Sequence, residues 1–449
     1  MRTARKTMRT AASLALVSAL VAGCSAVSEF TDPINPFSKK EKILPGERQP
    51  LFAGADPLAQ ASGQAASLGP ASGGQDWPQS GGPETNDPGN VAVSVAGARV
   101  WRASIGSSGG GLTTSALRTA ARPVSQGGRL YVYKPTGEVV SLSTGGARGW
   151  TRSLRPEGER DSAAGGGVAV SGGRVFAATG YRQLAALDAG SGQVLWTADL
   201  GAPARGAPAV GAGHVFVVTQ TNEVYAVKQD DGTVAWTYSG ISESAGLLSA
   251  ASPAVSGNTV VVPFSSGEIM ALDIKTGEPK WVDAVARSFR TLAVSGLADV
   301  AASPVVSGGT VYATGVAGRT IAASLSSGER LWEQDIGSVH TPVVSGNALF
   351  MVTLDDRMVA LDRKTGRPLW SADLPQIESR KQRRNWAGPA LANGTLVAFS
   401  NDGRLAQVDA VSGKVLSARD VQTKVFVTPI IAGGRVIVLE GDSGIAAFN

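Results

Sequence analysis

The sequence predicts an all-β protein, an eight-bladed β-propeller of four-stranded antiparallel blades closed by its own N-terminal strand. Two observations carry this expectation. First, a glycine turn is followed four residues later by a tryptophan at Gly97/Trp101, Gly146/Trp150, Gly192/Trp196, Gly232/Trp236, Gly277/Trp281, Gly328/Trp332 and Gly366/Trp370. The copies lie roughly 38 to 51 residues apart, the period of an array or a propeller. Second, a strand pair reading Gly-Gly, apolar strand, Ala-Leu-Asp-like strand occurs eight times, starting at Arg129, Arg174, His214, Thr259, Thr310, Ala348, Thr395 and Arg435.

Each unit has one grammar. It opens on a proline among small residues, as in Ala207-Pro208, Ser252-Pro253, Ser303-Pro304 and Thr341-Pro342; the second unit has Gly165-Gly166-Gly167 instead. A two-residue turn such as Gly172-Gly173 or Gly257-Asn258 then closes a hairpin. Strands such as Val215-Phe216-Val217-Val218 are apolar on both faces, as a strand between two packed sheets must be. A second turn, a strand such as Glu223–Val227 and the Gly-x-x-x-Trp strand complete four strands, one blade.

The last unit ends at Asn449 with no tryptophan strand, and a tryptophan strand at Trp101 stands first with no unit before it. The residues from Val100 to Ala103 are therefore expected to complete the blade holding Val436 to Phe448. Ring closure of this kind removes sheet edges that would otherwise pair with other chains. The seven tryptophans are read as structural, each packing blade against blade. Ser417 takes the tryptophan position in the copy at Gly413.

The N-terminus has a separate logic. Arg2, Arg5, Lys6 and Arg9 precede an apolar stretch from Ala11 to Ala22, too short to span and stay in a bilayer, so residues 1–23 read as a signal peptide. The stretch ends in Val21-Ala22-Gly23-Cys24, which resembles a bacterial lipobox; that resemblance implies cleavage before Cys24 and acylation of its thiol and new amine. Several chains anchor stably where one does not. Ser25 after the cysteine resembles an outer-membrane sorting signal. Cys24 is the one cysteine, so once lipidated it leaves no thiol for a disulfide. Removing the signal takes four positive charges, and the net charge falls from +5 to +1, which gives no argument for nucleic acid. Residues 24–75 are rich in Pro, Ser, Gly and Ala and read as a flexible tether, with a docking point expected near Trp77-Pro78. The propeller is assigned to 76–449.

Chemistry-bearing residues are sparse. His214 and His340 sit in different units, the acidic residues fall mostly in turns such as Asp230-Asp231-Gly232, and Gly106–Gly111 is a loop with no helix to cradle phosphate. No metal-ligand spacing and no Ser-His-Asp arrangement is evident, so neither a cofactor, a metal nor a catalytic residue is expected.

The units resemble the repeats of quinoprotein-type propellers, the fold shared by pyrroloquinoline-quinone dehydrogenases and the BamB family of outer-membrane assembly factors. Lipobox, tether and eight repeats in that order are similar to BamB. That resemblance implies a non-enzymatic scaffold lipoprotein on the periplasmic face of the outer membrane. Its implied partners are the periplasmic POTRA domains of a BamA-like insertase and nascent outer-membrane proteins. In BamB the corresponding partner-binding loops carry a Leu-Arg element and a Leu-Ser-Asp-Val-Asp-like element. By the resemblance Leu247 falls at the leucine and Asp299 at the first aspartate, while Leu248 stands at the arginine and Ala301 at the second aspartate. From the residues alone, Leu247 and Leu248 form a contact patch or tuck into the propeller, and Asp299 contacts a partner or caps a turn. The basic run Arg380-Lys381-Gln382-Arg383-Arg384 is a solvated loop, a surface for an acidic partner, or a lipid-headgroup contact. A quinone-dependent dehydrogenase and a propeller lipoprotein with another envelope partner are the competing readings.

Overall fold

The chain divides into two units, 1–54 and 55–449. The computed structural model describes residues 56–106, 121–241, 251–285, 299–377 and 383–449, all within the second. Cys24, Leu247, Leu248, Arg380 and Lys381 lie outside the described residues.

Eight four-stranded antiparallel sheets form the ring. Blades 1 to 7 are continuous in sequence and occupy 124–153, 166–199, 209–239, 254–284, 305–334, 343–373 and 386–420. Blade 2 shows the plan: strands Gly166–Ser171, Arg174–Thr179, Gln183–Asp188 and Val194–Asp199 follow one another from the axis outward. Blade 8 takes three strands from the C-terminus, Ile430–Ala432, Arg435–Glu440 and Gly444–Phe448, and its outer strand, Arg99–Ser104, from the N-terminus. Trp101 pairs with Ala447 and Ala103 with Ile445, and Asn449 donates to the Ala98 carbonyl at 3.1 Å. The ring closes as the strand count requires.

The tryptophan repeat works between blades. In each unit a bulge falls just before the tryptophan: Trp236 faces Ala226, but Val234 faces Val227, leaving Ala235 as the extra residue. A bulge adds twist and re-aims the side chains around it. Trp101, Trp150, Trp196, Trp236, Trp281 and Trp332 each donate from Nε1 to a carbonyl of the next blade, at Thr144, Ala189, Gln229, Ile274, Leu325 and Arg363, over 2.7–3.1 Å. Under each ring lies the glycine of the next repeat. A Cβ at Gly232 would sit 2.6 Å from Trp196, and one at Gly413 2.6 Å from Trp370. Gly232 also has φ of 77°, so both its space and its backbone exclude a side chain. The phrase Gly-x-x-x-Trp thus reads in two directions: its glycine receives the previous blade's tryptophan, and its own tryptophan reaches forward.

Within a blade the tryptophan also meets an aromatic of the second strand. The centroids are 5.8 Å apart for Tyr131–Trp150, 5.9 Å for Phe176–Trp196 and 6.1 Å for Tyr312–Trp332. Tilted pairs at this separation add to the area buried. Tyr131 Oη and Trp150 Nε1 donate to the same Ala189 carbonyl, at 3.0 and 3.1 Å.

The blade with Ser417 solves the same problem with polar atoms. Ser417 Oγ donates to Gln407 Oε1 at 2.7 Å, and Gln407 Nε2 donates to the Val95 carbonyl at 2.6 Å, replacing the indole N–H. The Arg419 side chain covers Gly97 and donates to the Ala96 carbonyl.

The axis is dense because small residues line it. A Cβ at Gly167 would lie 2.6 Å from Ala207 Cβ and 2.8 Å from Ala121 Cβ, so the glycine run that replaces proline in blade 2 lets its inner strand pack closely on the segments leading into blades 1 and 3.

Trp196→Ala should lower stability by about 2–4 kcal/mol through lost burial and the cavity it leaves. Gly232→Ala should cost about 1–3 kcal/mol through overpacking and strain. Denaturant titration of the double variant should show a cost at least about 0.5 kcal/mol below the sum, because removing the indole also removes the clash. Additive costs would mean the two residues do not act on each other.

Candidate functional site: the connection face

Strand direction alternates across each blade, so the links between successive blades and the turn between second and third strands share one end of the ring. Two of the links on this connection face, between Ser239 and Ala254 and between Ala284 and Val305, include the sequence stretches 240–253 and 293–304; residues 242–250 and 286–298 lie outside the described residues.

The base of the face is built by hydroxyls next to the recurrent prolines. Ser252 Oγ donates to the Ala207 carbonyl at 2.8 Å, Ser252 N to Ser303 Oγ at 2.9 Å, and Ser303 N to Thr341 Oγ1 at 3.2 Å. These bonds lace blades 3 to 6 together around the channel mouth. Asn222 adds a clamp, donating from Nδ2 to the Ile241 carbonyl at 2.6 Å and to Ser265 Oγ at 2.8 Å. Ile241 is exposed and Ala251 is buried.

Asp299 is fully buried. Its carboxylate receives the Arg205 guanidinium in an ion pair whose side chains are 4% and 1% exposed, so no partner reaches it in this arrangement. Arg205 donates further to the carbonyls of Pro263 at 3.1 Å and Val300 at 3.0 Å. Burial pulls the guanidinium below its ordinary value, and the Asp299 charge opposes that pull. One side chain from the link between blades 2 and 3 therefore fastens the link between blades 4 and 5. Arg205 was not legible as a site residue. It lies 94 positions from Asp299 and resembles any cation in a turn.

Half of the basic run is structural. Arg384 grips Asp402 through Nε at 2.8 and 2.9 Å and through Nη2 at 2.8 Å, and lies 5.8 Å from the Trp386 ring. Arg383 Nε donates to Asp356 at 2.9 Å. Arg384 is buried in its pair, whereas the Arg383 side chain stays 59% exposed.

His214 opens the second strand of blade 3, and its Nδ1 lies 3.0 Å from the Ala212 carbonyl. His340 is half-buried at the channel mouth, with Nδ1 3.1 Å from Thr428 Oγ1. Burial and the nearby Arg122 cation lower His340 to about 4. Among the described residues no group of three or more His, Cys, Asp or Glu could hold a metal ion. The channel retains a cavity of about 10 Å³ between Trp77, Asn86, Arg122, Thr341, Pro389 and Pro429.

A family model described as outer membrane protein assembly factor BamB matches residues 136–372 and 359–449. The chain belongs to the BamB family. It is 30% identical over 285 residues to the outer membrane protein assembly factor BamB of Escherichia coli strain K12, covering 63% of this chain and 71% of that protein. The crystal structure of BamB from Moraxella catarrhalis superposes with a TM-score of 0.62 at 19% identity, covering 74% of this chain and 98% of that one. Quinohemoprotein alcohol dehydrogenase from Comamonas testosteroni superposes as well, with a TM-score of 0.63 at 16% identity, over 87% of this chain and 84% of that one. At these identities the two superpositions speak to fold alone, and sequence sets this chain with BamB.

Two outcomes follow from the site. Asp299→Ala strands the Arg205 charge in the interior and should cost about 3–5 kcal/mol in denaturant titration, whereas Arg205→Met with Asp299→Leu should cost far less. His340 stays neutral in the fold down to about pH 4 but protonates near 6.5 in the unfolded chain. Between those values the unfolded state binds more protons, so the His340 contribution is lost as pH falls through that window. His340→Gln should flatten the pH dependence of stability between pH 6.5 and 4; an unchanged slope would show that the imidazole titrates normally.

Proposed function

We propose that this chain is a non-catalytic scaffold lipoprotein of the outer-membrane β-barrel assembly machinery. In this reading residues 1–23 are removed as a signal, and Cys24 carries the lipid that holds the protein on the periplasmic face of the outer membrane. The connection face binds the periplasmic POTRA domains of a BamA-like insertase, and nascent outer-membrane proteins are a second class of partner. Family membership supports the assembly role. The observation that carries the rest is the rigid base of the connection face, where the Arg205–Asp299 pair and the hydroxyl lacing fix both ends of the partner loops. Leu247 and Leu248 are the contacting residues. Asp299 acts by positioning, since its carboxylate is buried.

The alternative of a quinone-dependent dehydrogenase has less support, because the matching family model and the similar sequences are described as outer membrane protein assembly factors.

Crosslinked capture tests the reading. The full chain should capture a BamA-type insertase, and Leu247→Glu with Leu248→Glu should reduce capture about tenfold or more with the thermal midpoint unchanged, a loss of about 1.4 kcal/mol in binding. Undiminished capture by the folded variant would remove these leucines from the interface, and no capture by the parent chain would remove the partner.

A further inference from the structure

Each four-stranded blade keeps two free edges, an outer one at the rim and an inner one at the axis. The innermost strand of each blade has a neighbour on one side only, and its other edge faces the axis. Buried backbone N–H groups there need partners. Five of them occupy the same position in successive blades: Ser125, Val170, Val210, Val255 and Val306. Each is met by the stretch that precedes the first strand. Ser125 N donates to the Trp77 carbonyl at 2.7 Å, Val170 N to Pro78 at 2.8 Å, Val255 N to Glu84 at 2.6 Å and Val306 N to Thr85 at 2.9 Å. Val210 N donates to the Gln79 side-chain oxygen at 2.9 Å, and Gln79 Nε2 returns a bond to the Val210 carbonyl at 2.7 Å.

The remaining three blades are held by the same stretch. Gly69 N donates to Ser345 Oγ in blade 6 at 3.0 Å. Val91 N donates to Leu391 in blade 7 at 3.1 Å, and Gly433 N of blade 8 donates to Gln75 at 2.9 Å. Asn86, fully buried with φ of 57°, spans two blades by donating from Nδ2 to the carbonyls of Pro253 at 3.2 Å and Pro304 at 2.9 Å. Positive φ at Gly73, Gly74, Gly82, Asn86 and Gly89 lets the stretch follow a curve that no regular strand could. The composition that suggests a tether is also what a peptide needs to turn inside a ring.

We infer that the axial floor of the propeller, opposite the connection face, is a binding site for an extended small-residue-rich polypeptide, filled in cis by residues 69–93. The site is defined by the inward edges of six inner strands, with the Ser345 hydroxyl in blade 6 and the Gly433 turn in blade 8, and its ligand class is polypeptide backbone with one Gln and one Asn side chain for register. While residues 69–93 occupy it, no other ligand enters the channel from that end. Partners then have the connection face and the outer rim.

Hydrogen exchange on the full chain tests this, together with a variant carrying a sequence-specific protease site after Ser94. In the uncut chain, amides of 77–92 that bond to the blades should exchange roughly 100-fold slower than in a free peptide of that sequence. After cleavage, the fragment ending at Ser94 should co-elute with the propeller under native conditions. Gln79→Ala with Asn86→Ala should speed exchange at Val210, Val255 and Val306 while leaving the outer tryptophan strands unchanged. Free-peptide exchange over 77–92 in the intact chain, or release of the fragment from a propeller that stays folded, would overturn the inference. If the inserted site disturbs folding, exchange in the unmodified chain decides alone.

Discussion

The structure depends on one contact repeated around the ring: the indole of one blade lying on the glycine of the next. Burying a large aromatic on a neighbour's bare backbone gives each such interface area and shape, and every one but that of Trp370 a hydrogen bond as well. It also fixes which residue can stand opposite. A methyl group at Gly232 would collide with the Trp196 ring, so glycine and tryptophan are required as a pair, though they belong to different blades. The seam at Ser417 shows what the contact has to supply. Gln407 replaces the N–H donor and Arg419 replaces the cover over Gly97, and two residues do what one indole does elsewhere.

Much of this was legible in the sequence because it is periodic. Glycine and tryptophan four apart, recurring over most of the chain, specify blade, count and phase, and the unmatched strand at Trp101 specifies closure. What escaped is what has no period. Arg205 and Asp299 meet only because the ring brings two inter-blade links side by side, and neither residue type is unusual in a turn. Residues 69–75 of the axial stretch read as tether because glycines serve a curved path there and the bonds are made largely by backbone. Arg383 and Arg384 look like a solvent-facing charge run until Asp356 and Asp402 are placed beside them. Asp299, expected to contact a partner or cap a turn, is a buried carboxylate paired with Arg205.

The two ends of the ring have different characters, and the proposed role follows from that difference. One end is laced by the chain's own backbone. The other carries long links whose bases are pinned by buried charge, hydroxyls and Asn222. A buried ion pair is a weak source of stability but a strong source of geometry, since breaking it leaves a stranded charge. Binding loops on a rigid base lose less freedom on association than loops free at both ends.

The most direct measurement is a hydrogen-exchange footprint of the full chain with and without the POTRA domains of a BamA-type insertase. The account predicts new protection confined to the connection face, in peptides spanning 240–253 and 293–304, with the axial stretch and the outer tryptophan strands unchanged. Protection that appears instead on the floor formed by 69–93, or along the outer strands with none at those two links, would contradict it.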